Sequence, residues 1–309
     1  MKKFKKVLVG LFAILLAVVA TACSNKSNSS KDGYTPKSLT IQFVPSQAAN
    51  KLEARAKPLE KILSKKLGIP VHVSMSTDYN TVVEAMKSKK VDVGFLPPDG
   101  YVLAHKQGAA DVLLQSQRYG VKQPGGKATN KLVDYYRAEI LVKKGSKIKS
   151  WKDLKGKSIS VQNPTSSAGY VFPVAELEEK GLNVPKDCKL VTVTGHDQAV
   201  LNVLNGDTDA AFVFEDARNT VKKDNPKIMD QVVPIYFTKP IPNDTISVRS
   251  DMSKSFQKKL AKAFIEVGES KKGKKIIESI YSHEGYTKSK DSNFDIVRKY
   301  NKIIAKDKK

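Results

Sequence analysis

The chain repeats itself at one constant offset. Residues Val83 to Phe95 align with Val200 to Phe212, matching Val83 with Val200, Asp92 with Asp209 and Phe95 with Phe212. The first strands recur more loosely, Ile41-Gln42 and Pro45 against Val161-Gln162 and Pro164. Two similar units must therefore be built from one chain. In the first, a β-rich run over Leu39 to Val44 precedes Leu52, Ala56, Leu59, Ile62, Leu63 and Leu67 at helical spacing, stopped by Gly68 and Pro70. A strand at Val71 and Val73, a helix through Val82, Val83 and Met86, and a strand from Val91 to Leu96 follow. The second unit is predicted as a strand to Val161, a helix from Ser167 to Lys180, a strand from Lys189 to Val193, a helix from Gln198 to Asn205 and a strand from Ala210 to Phe214. Alternating βαβαβ order predicts an α/β fold of two lobes, each a mostly parallel sheet flanked by helices. Ligands of such sheets lie beyond the carboxyl ends of the strands, which places a cleft between the lobes. The repeat pairs Ser46-Gln47 with Ser166-Ser167, Tyr79 with His196 and Asp99 with Asp216 at those ends. A small polar ligand is the expected occupant.

The N-terminus indicates export. Lys2, Lys3, Lys5 and Lys6 precede an apolar run from Val7 to Ala20, too short to span a bilayer, so residues 1–22 read as a signal peptide. Ala20-Thr21-Ala22-Cys23 resembles a bacterial lipobox, in which Cys23 is acylated; ordinary cleavage after Ala22 is the alternative. The polar stretch that follows suits a flexible tether over residues 23–38. The expected location is the outer face of the cytoplasmic membrane, with the lipid as anchor. Only Cys188 then remains, which leaves no disulfide, and the four histidines are too scattered for a structural metal. The formal charge of +23 includes the four leader lysines. Its other lysines, such as Lys258, Lys259, Lys262 and the run from Lys271 to Lys275, lie on helical faces and the tail without interleaved aromatics. Export and that distribution argue against a nucleic-acid partner and for a solvated basic coat that concentrates anionic solutes.

The chemistry is clearest in Asn163 to Tyr170. Thr165, Ser166 and Ser167 open a helix, where side-chain hydroxyls, free backbone N–H groups and the positive end of the dipole together form an anion cradle. Simple N-capping explains one hydroxyl, not three in a row. His196 adds a further donor.

With these residues in place, the sequence resembles the phosphonate/phosphite/phosphate substrate-binding components of ABC importers, a branch of the type II periplasmic-binding-protein fold. The likeness runs from about Leu39 to about Tyr286. Its motifs are Thr77 to Tyr79, Val91 to Gly94 with Tyr101, Tyr136 to Val142, Asn163 to Tyr170 with Pro173, Gly195 to Asp197, and Ile241 to Asp244. The resemblance implies that Ser166 and Ser167 grip the phosphonate oxygens with the N–H groups of Ala168 and Gly169 behind them, and that Tyr79 and His196 donate from the two lobes. It also implies that Asp216 and Asp244 bind the ammonium of an aminoalkyl phosphonate, which would then outbind methylphosphonate and phosphate. On residue type alone, Asp216 could simply cap the segment starting at Ala217, and Asp244 could simply stabilise a turn. Leu96 and Ala168 depart from the pattern, standing where some members carry a tyrosine and a third hydroxyl.

The implied partners are a permease and an ATPase, with no cofactor and no catalysis. Phosphite or phosphate is the alternative ligand. From other classes, an exported hydrolase would draw on Ser166 or Ser167, His196 and Asp216, but neither a Gly-x-Ser-x-Gly elbow nor a metal-binding carboxylate cluster accompanies them. An adhesion protein would not need matched polar tips. The expected division is residues 39–135 with 239–309 in lobe one and 136–238 in lobe two. Gly120 to Lys131 is expected as a surface excursion.

Overall fold

The amphipathic stretch after the first strand folds as two helices, because Pro58 cannot continue a helix but suits the first position of a new one. They span Ala49–Ala56 and Pro58–Leu67, and Gly68 ends the second in the left-handed region at φ 70°. The computed structural model describes residues 33–306, and the signal peptide, most of the tether and Cys23 lie outside them.

The strands are β1 (Leu39–Phe43), β2 (Val71–Met75), β3 (Val93–Leu96), β4 (Ala110–Lys122), β5 (Lys127–Val133), β6 (Tyr135–Tyr136) and β7 (Ala138–Lys143). After them come β8 (Ser158–Val161), β9 (Lys189–Thr192), β10 (Ala210–Phe214), β11 (Val232–Phe237), β12 (Ile241–Pro242), β13 (Thr245–Arg249) and β14 (Gly285–Lys288). One sheet has the order β14-β4-β13-β3-β1-β2, with β5 paired to β4; the other has the order β11-β7-β10-β8-β9. Two connections join the sheets, and their strands β6 and β12 pair with each other, Ile241 opposite Tyr136.

The repeat has a structural meaning. Asp92 accepts from the Thr40 backbone N–H at 2.8 Å, and its own N–H reaches the Thr40 carbonyl at 3.1 Å. Asp209 does the same with Ser158, at 2.9 and 3.0 Å. Each aspartate thus fastens the first strand of its βαβαβ run to the strand it precedes. Phe95 stacks on Phe43 in the first lobe. In the second, Phe212 packs with Ile159, Val161 and Leu177 on one face of β10, while Ala211 and Val213 meet Val200 and Val203 on the other. Both faces are covered, so β10 is apolar throughout.

The sheets are mixed rather than mostly parallel. Strands β2, β1 and β3 run parallel, as do β10, β8 and β9, matching the two βαβαβ runs. Strands β13, β4, β14 and β7, β11 add antiparallel pairs. Hydrophobic periodicity identifies a strand but carries no direction for one that arrives without a crossover helix. The surface excursion expected at Gly120 to Lys131 is the paired β4–β5 hairpin.

The last helix, Asp295–Lys306, bridges the lobes. Its Tyr300 donates to Glu176 at 3.0 Å and stacks edge-on with Phe172, both on helix Phe172–Glu179 of the second lobe, while Asn301 donates to Asp99 of the first.

Candidate functional site

A five-residue π-type turn, Ser167–Val171, precedes helix Phe172–Glu179 and delivers the hydroxyl-rich segment to the cleft. Ser166 caps it, its Oγ accepting from the Gly169 N–H at 3.2 Å. Opposite, Asp78 caps helix Tyr79–Lys87 by accepting from the N–H groups of Asn80 and Thr81, which sets Tyr79 at the helix start facing Ser166. Among the hydrogen bonds between the lobes, four lie at this end of the cleft. The His196 N–H donates to the Ser46 carbonyl at 2.9 Å, the Ala48 N–H to Asp197 at 3.1 Å, the Asp99 N–H to Ser167 Oγ at 3.0 Å, and Thr165 Oγ1 to Asn80 at 3.0 Å.

Between the lobes lies a cavity of about 60 Å³, lined by Tyr79, Ser166, Ala168 and His196 and by Arg118, Tyr136, Asn243, Asp244 and Tyr281. One water needs roughly 10–15 Å³ on this measure. The cavity therefore holds on the order of five water-sized atoms, the bulk of a tetrahedral oxyanion. Three lining residues carry a buried side-chain nitrogen without a partner: His196 Nδ1, Asn243 Nδ2 and Arg118 Nε. An unmet buried donor costs about 1–3 kcal/mol, so an acceptor-rich ligand gains from meeting them.

The electrostatics suit such a ligand. Burial pushes the phenols of Tyr79 and Tyr136 well above their usual value, which keeps both as donors. Burial lowers His196 to about 3, so its imidazole is neutral at physiological pH. Burial works against the charge on Arg118, but adjacent Asp216 outweighs it and raises the guanidinium.

Of the residues expected at the site, Tyr79, Ser166, Ala168, His196 and Asp244 converge on the cavity. Ser167 is fully buried behind it, accepting from Asp99 and neighbouring the Tyr136 phenol. Thr165 stands apart, its hydroxyl shared by Asn80 and Asn163. The Gly169 N–H is committed to Ser166. Asp216 does not line the cavity and makes no cap; it is ion-paired with Arg118. A hydrolytic relay is not assembled, because His196 Nδ1 has no partner to orient it and Asp216 is held elsewhere. Sequence reasoning missed Arg118, Tyr136, Asn243 and Tyr281 as lining residues. Asn243 lay beside Asp244, and Tyr136 opened a recognised motif, but nothing local marks Arg118.

Comparison with known proteins agrees with this geometry. A family model described as the periplasmic substrate-binding protein of phosphonate ABC transporters matches residues 41–294. The chain is 30% identical over 213 residues to the phosphate-import protein PhnD of Mycolicibacterium smegmatis, covering 66% of this chain and 64% of that one. It is 23% identical over 248 residues to the phosphonates-binding periplasmic protein of Escherichia coli, covering 79% and 70%. The match thus spans a little under two thirds of the mycobacterial relative. Among solved structures, PhnD1 from Prochlorococcus marinus in complex with methylphosphonate aligns with a TM-score of 0.74 at 19% identity, covering 88% of this chain and 100% of that one. A binding component of an ABC phosphonate transporter from Pseudomonas aeruginosa aligns at 0.73 and 18% identity, covering 85% of each. At those identities the structures establish the two-lobed type II fold. The family match over most of the chain establishes more: this protein belongs to the phosphonate-type periplasmic substrate-binding proteins of ABC transporters.

Proposed function

We propose that the protein captures a small phosphorus oxyanion, a phosphonate, by closing its two lobes, and presents it unchanged to the permease and ATPase of an ABC importer. The carrying observation is the small cavity between the lobes with three unmet buried nitrogens among hydroxyl donors from both lobes. Strands β6 and β12 serve as the hinge. Residues 39–135 with 239–309 form one lobe and residues 136–238 the other, and helix Asp295–Lys306 reaches across to the second lobe through Tyr300. A second reading, inorganic phosphate or phosphite, has the support of the mycobacterial relative's name. Calorimetry with phosphate, phosphite, methylphosphonate and 2-aminoethylphosphonate tests both. Saturable binding without turnover is expected, tightest for a phosphonate. Heat from phosphate alone would favour the second reading, and release of inorganic phosphate from a phosphonate would refute pure binding.

Export follows from the family, and we further propose anchoring through acylated Cys23. The mature N-terminus is expected to carry the mass of a lipidated cysteine; an unmodified cysteine in the intact-mass spectrum would rule the anchor out.

A further inference from the structure

We infer that Arg118 makes this pocket selective for oxyanions without an ammonium group, by standing as a built-in cation between the cavity and Asp216. This rests on the phosphonate reading and sharpens it.

A ligand ammonium needs a buried carboxylate that is free to receive it. Two carboxylates lie near the cavity, and the structure treats them differently. Asp216 is ion-paired with Arg118, with 8% of the arginine side chain and 14% of the aspartate side chain exposed. Arg118 lines the cavity and Asp216 does not. The guanidinium thus neutralises Asp216 through Oδ2 and stands between it and the cavity, while Asp216 Oδ1 and Arg118 Nε are both buried without a partner. One face of the group neutralises Asp216, and the other offers a charge-assisted donor to an anion. Asp244 does line the cavity, with His283 Nε2 3.9 Å from its carboxylate. A ligand oxygen that keeps its proton can donate to it, so a monoanion satisfies this end without an amine.

The cavity of about 60 Å³ has room for phosphate, phosphite or methylphosphonate. 2-Aminoethylphosphonate adds a two-carbon arm and an amine, and that arm would meet the guanidinium. The preference for aminoalkyl phosphonates expected from the family likeness is therefore reversed, because a residue with no local sequence signature has filled the amine end.

The pair also spans the cleft, since Arg118 lies on β4 of one lobe and Asp216 follows β10 of the other. Losing it weakens closure on every ligand alike, so the informative quantity is the ratio of affinities.

The test is calorimetry of the full chain and its variants with methylphosphonate and 2-aminoethylphosphonate. The wild type is expected to favour methylphosphonate by at least about tenfold. Arg118→Ala, which frees both the space and Asp216, should shift the ratio toward 2-aminoethylphosphonate by about 100-fold or more. Arg118→Ala with Asp216→Asn should lose that gain, because the uncovered carboxylate is the amine's partner. Asp216→Ala alone keeps the guanidinium in the cavity and should preserve the preference for methylphosphonate, which keeps the test decisive if Arg118→Ala does not fold. A wild type that already prefers 2-aminoethylphosphonate, or an Arg118→Ala protein weakened equally toward both, overturns the inference while the phosphonate reading survives. A wild type that binds none of the oxyanions overturns both.

Discussion

A Gly195→Val protein is expected to fold normally and to lose at least about 100-fold in affinity for methylphosphonate, a change of roughly 2.7 kcal/mol. Gly195 sits at φ −115°, a conformation that valine adopts readily, and it caps helix His196–Asn205 with its backbone alone. The constraint comes from the opposite lobe. A Cβ at this position would lie 3.1 Å from the Gln47 Cα and 3.2 Å from its carbonyl carbon. It would also press on Asp197 Oδ1 at 2.3 Å, and Asp197 bonds across the cleft to the Ala48 N–H. The neighbouring cross-lobe bond, from the His196 N–H to Ser46, shares the same approach. A branched side chain therefore blocks the closed form while leaving the core of each lobe untouched. Alanine at the same site should cause a smaller loss, because a displacement of a few tenths of an ångström relieves the Gln47 contacts, although the Asp197 carboxylate must still turn aside. Scattering should show Gly195→Val staying extended with saturating ligand, and its ligand-free melting should stay close to that of the wild type. Unchanged affinity with a compact ligand-bound profile would mean that the cleft closes elsewhere.

How much of this could be read beforehand depended on whether the determinant was local. The strand ends and the helix caps are written in neighbouring residues, and so are Ser166, Tyr79 and His196, which line the cavity, whereas Thr165 and Ser167 of the expected cradle are turned to other partners. The equivalence of Asp92 and Asp209 was visible as a repeat, although its reason, pinning Thr40 and Ser158, appears only in three dimensions. Strand direction was misjudged because β4 and β13 reach their sheet without the helix that marks a crossover, and alternation is identical for either direction. The expected surface excursion at Gly120 to Lys131 is largely exposed but runs as the paired β4–β5 hairpin, which its glycines and lysines do not announce because the exposed β5 needs few apolar side chains. Arg118 was illegible for a different reason. Its partner, Asp216, lies 98 residues away in sequence, after β10 of the other lobe. The same pairing changed the meaning of Asp216, from an expected ligand group to the anchor of an internal cation.

The largest stability effect is expected at Arg218, which is not among the residues lining the cavity. This side chain is 1% exposed, in the turn Ala217–Thr220. It donates to the Val232 carbonyl at 3.1 Å and to the Pro124 carbonyl at 2.6 Å, and it lies 3.5 Å from the Glu139 carboxylate. Arg218 thus ties the tip of the β4–β5 hairpin to the second lobe and balances Glu139, which is fully buried on β7. Burial drives the Glu139 carboxyl well above its usual range, nearby Asp216 and Glu215 push it further, and Arg218 is the charge that opposes them. Removing one partner of such a pair costs about 3–5 kcal/mol, since a charge is left in the interior without compensation. Arg218→Ala should therefore lower the melting temperature by on the order of 10 °C. The deficit should depend on pH in a defined direction. Glu139 in the folded variant holds its proton more tightly than in the unfolded chain, where the ordinary value is 4.5. The folded state then binds more protons than the unfolded one above that pH, so stability falls as pH rises. The loss should be smaller at pH 5 than at pH 8. Replacing both partners, Arg218→Met with Glu139→Leu, should recover more than half of it, because an apolar pair leaves no charge to solvate. Thermal melts of the three proteins at both pH values measure each step, and an Arg218→Ala protein that melts like the wild type at pH 8 would show that Glu139 is already neutral there without its arginine.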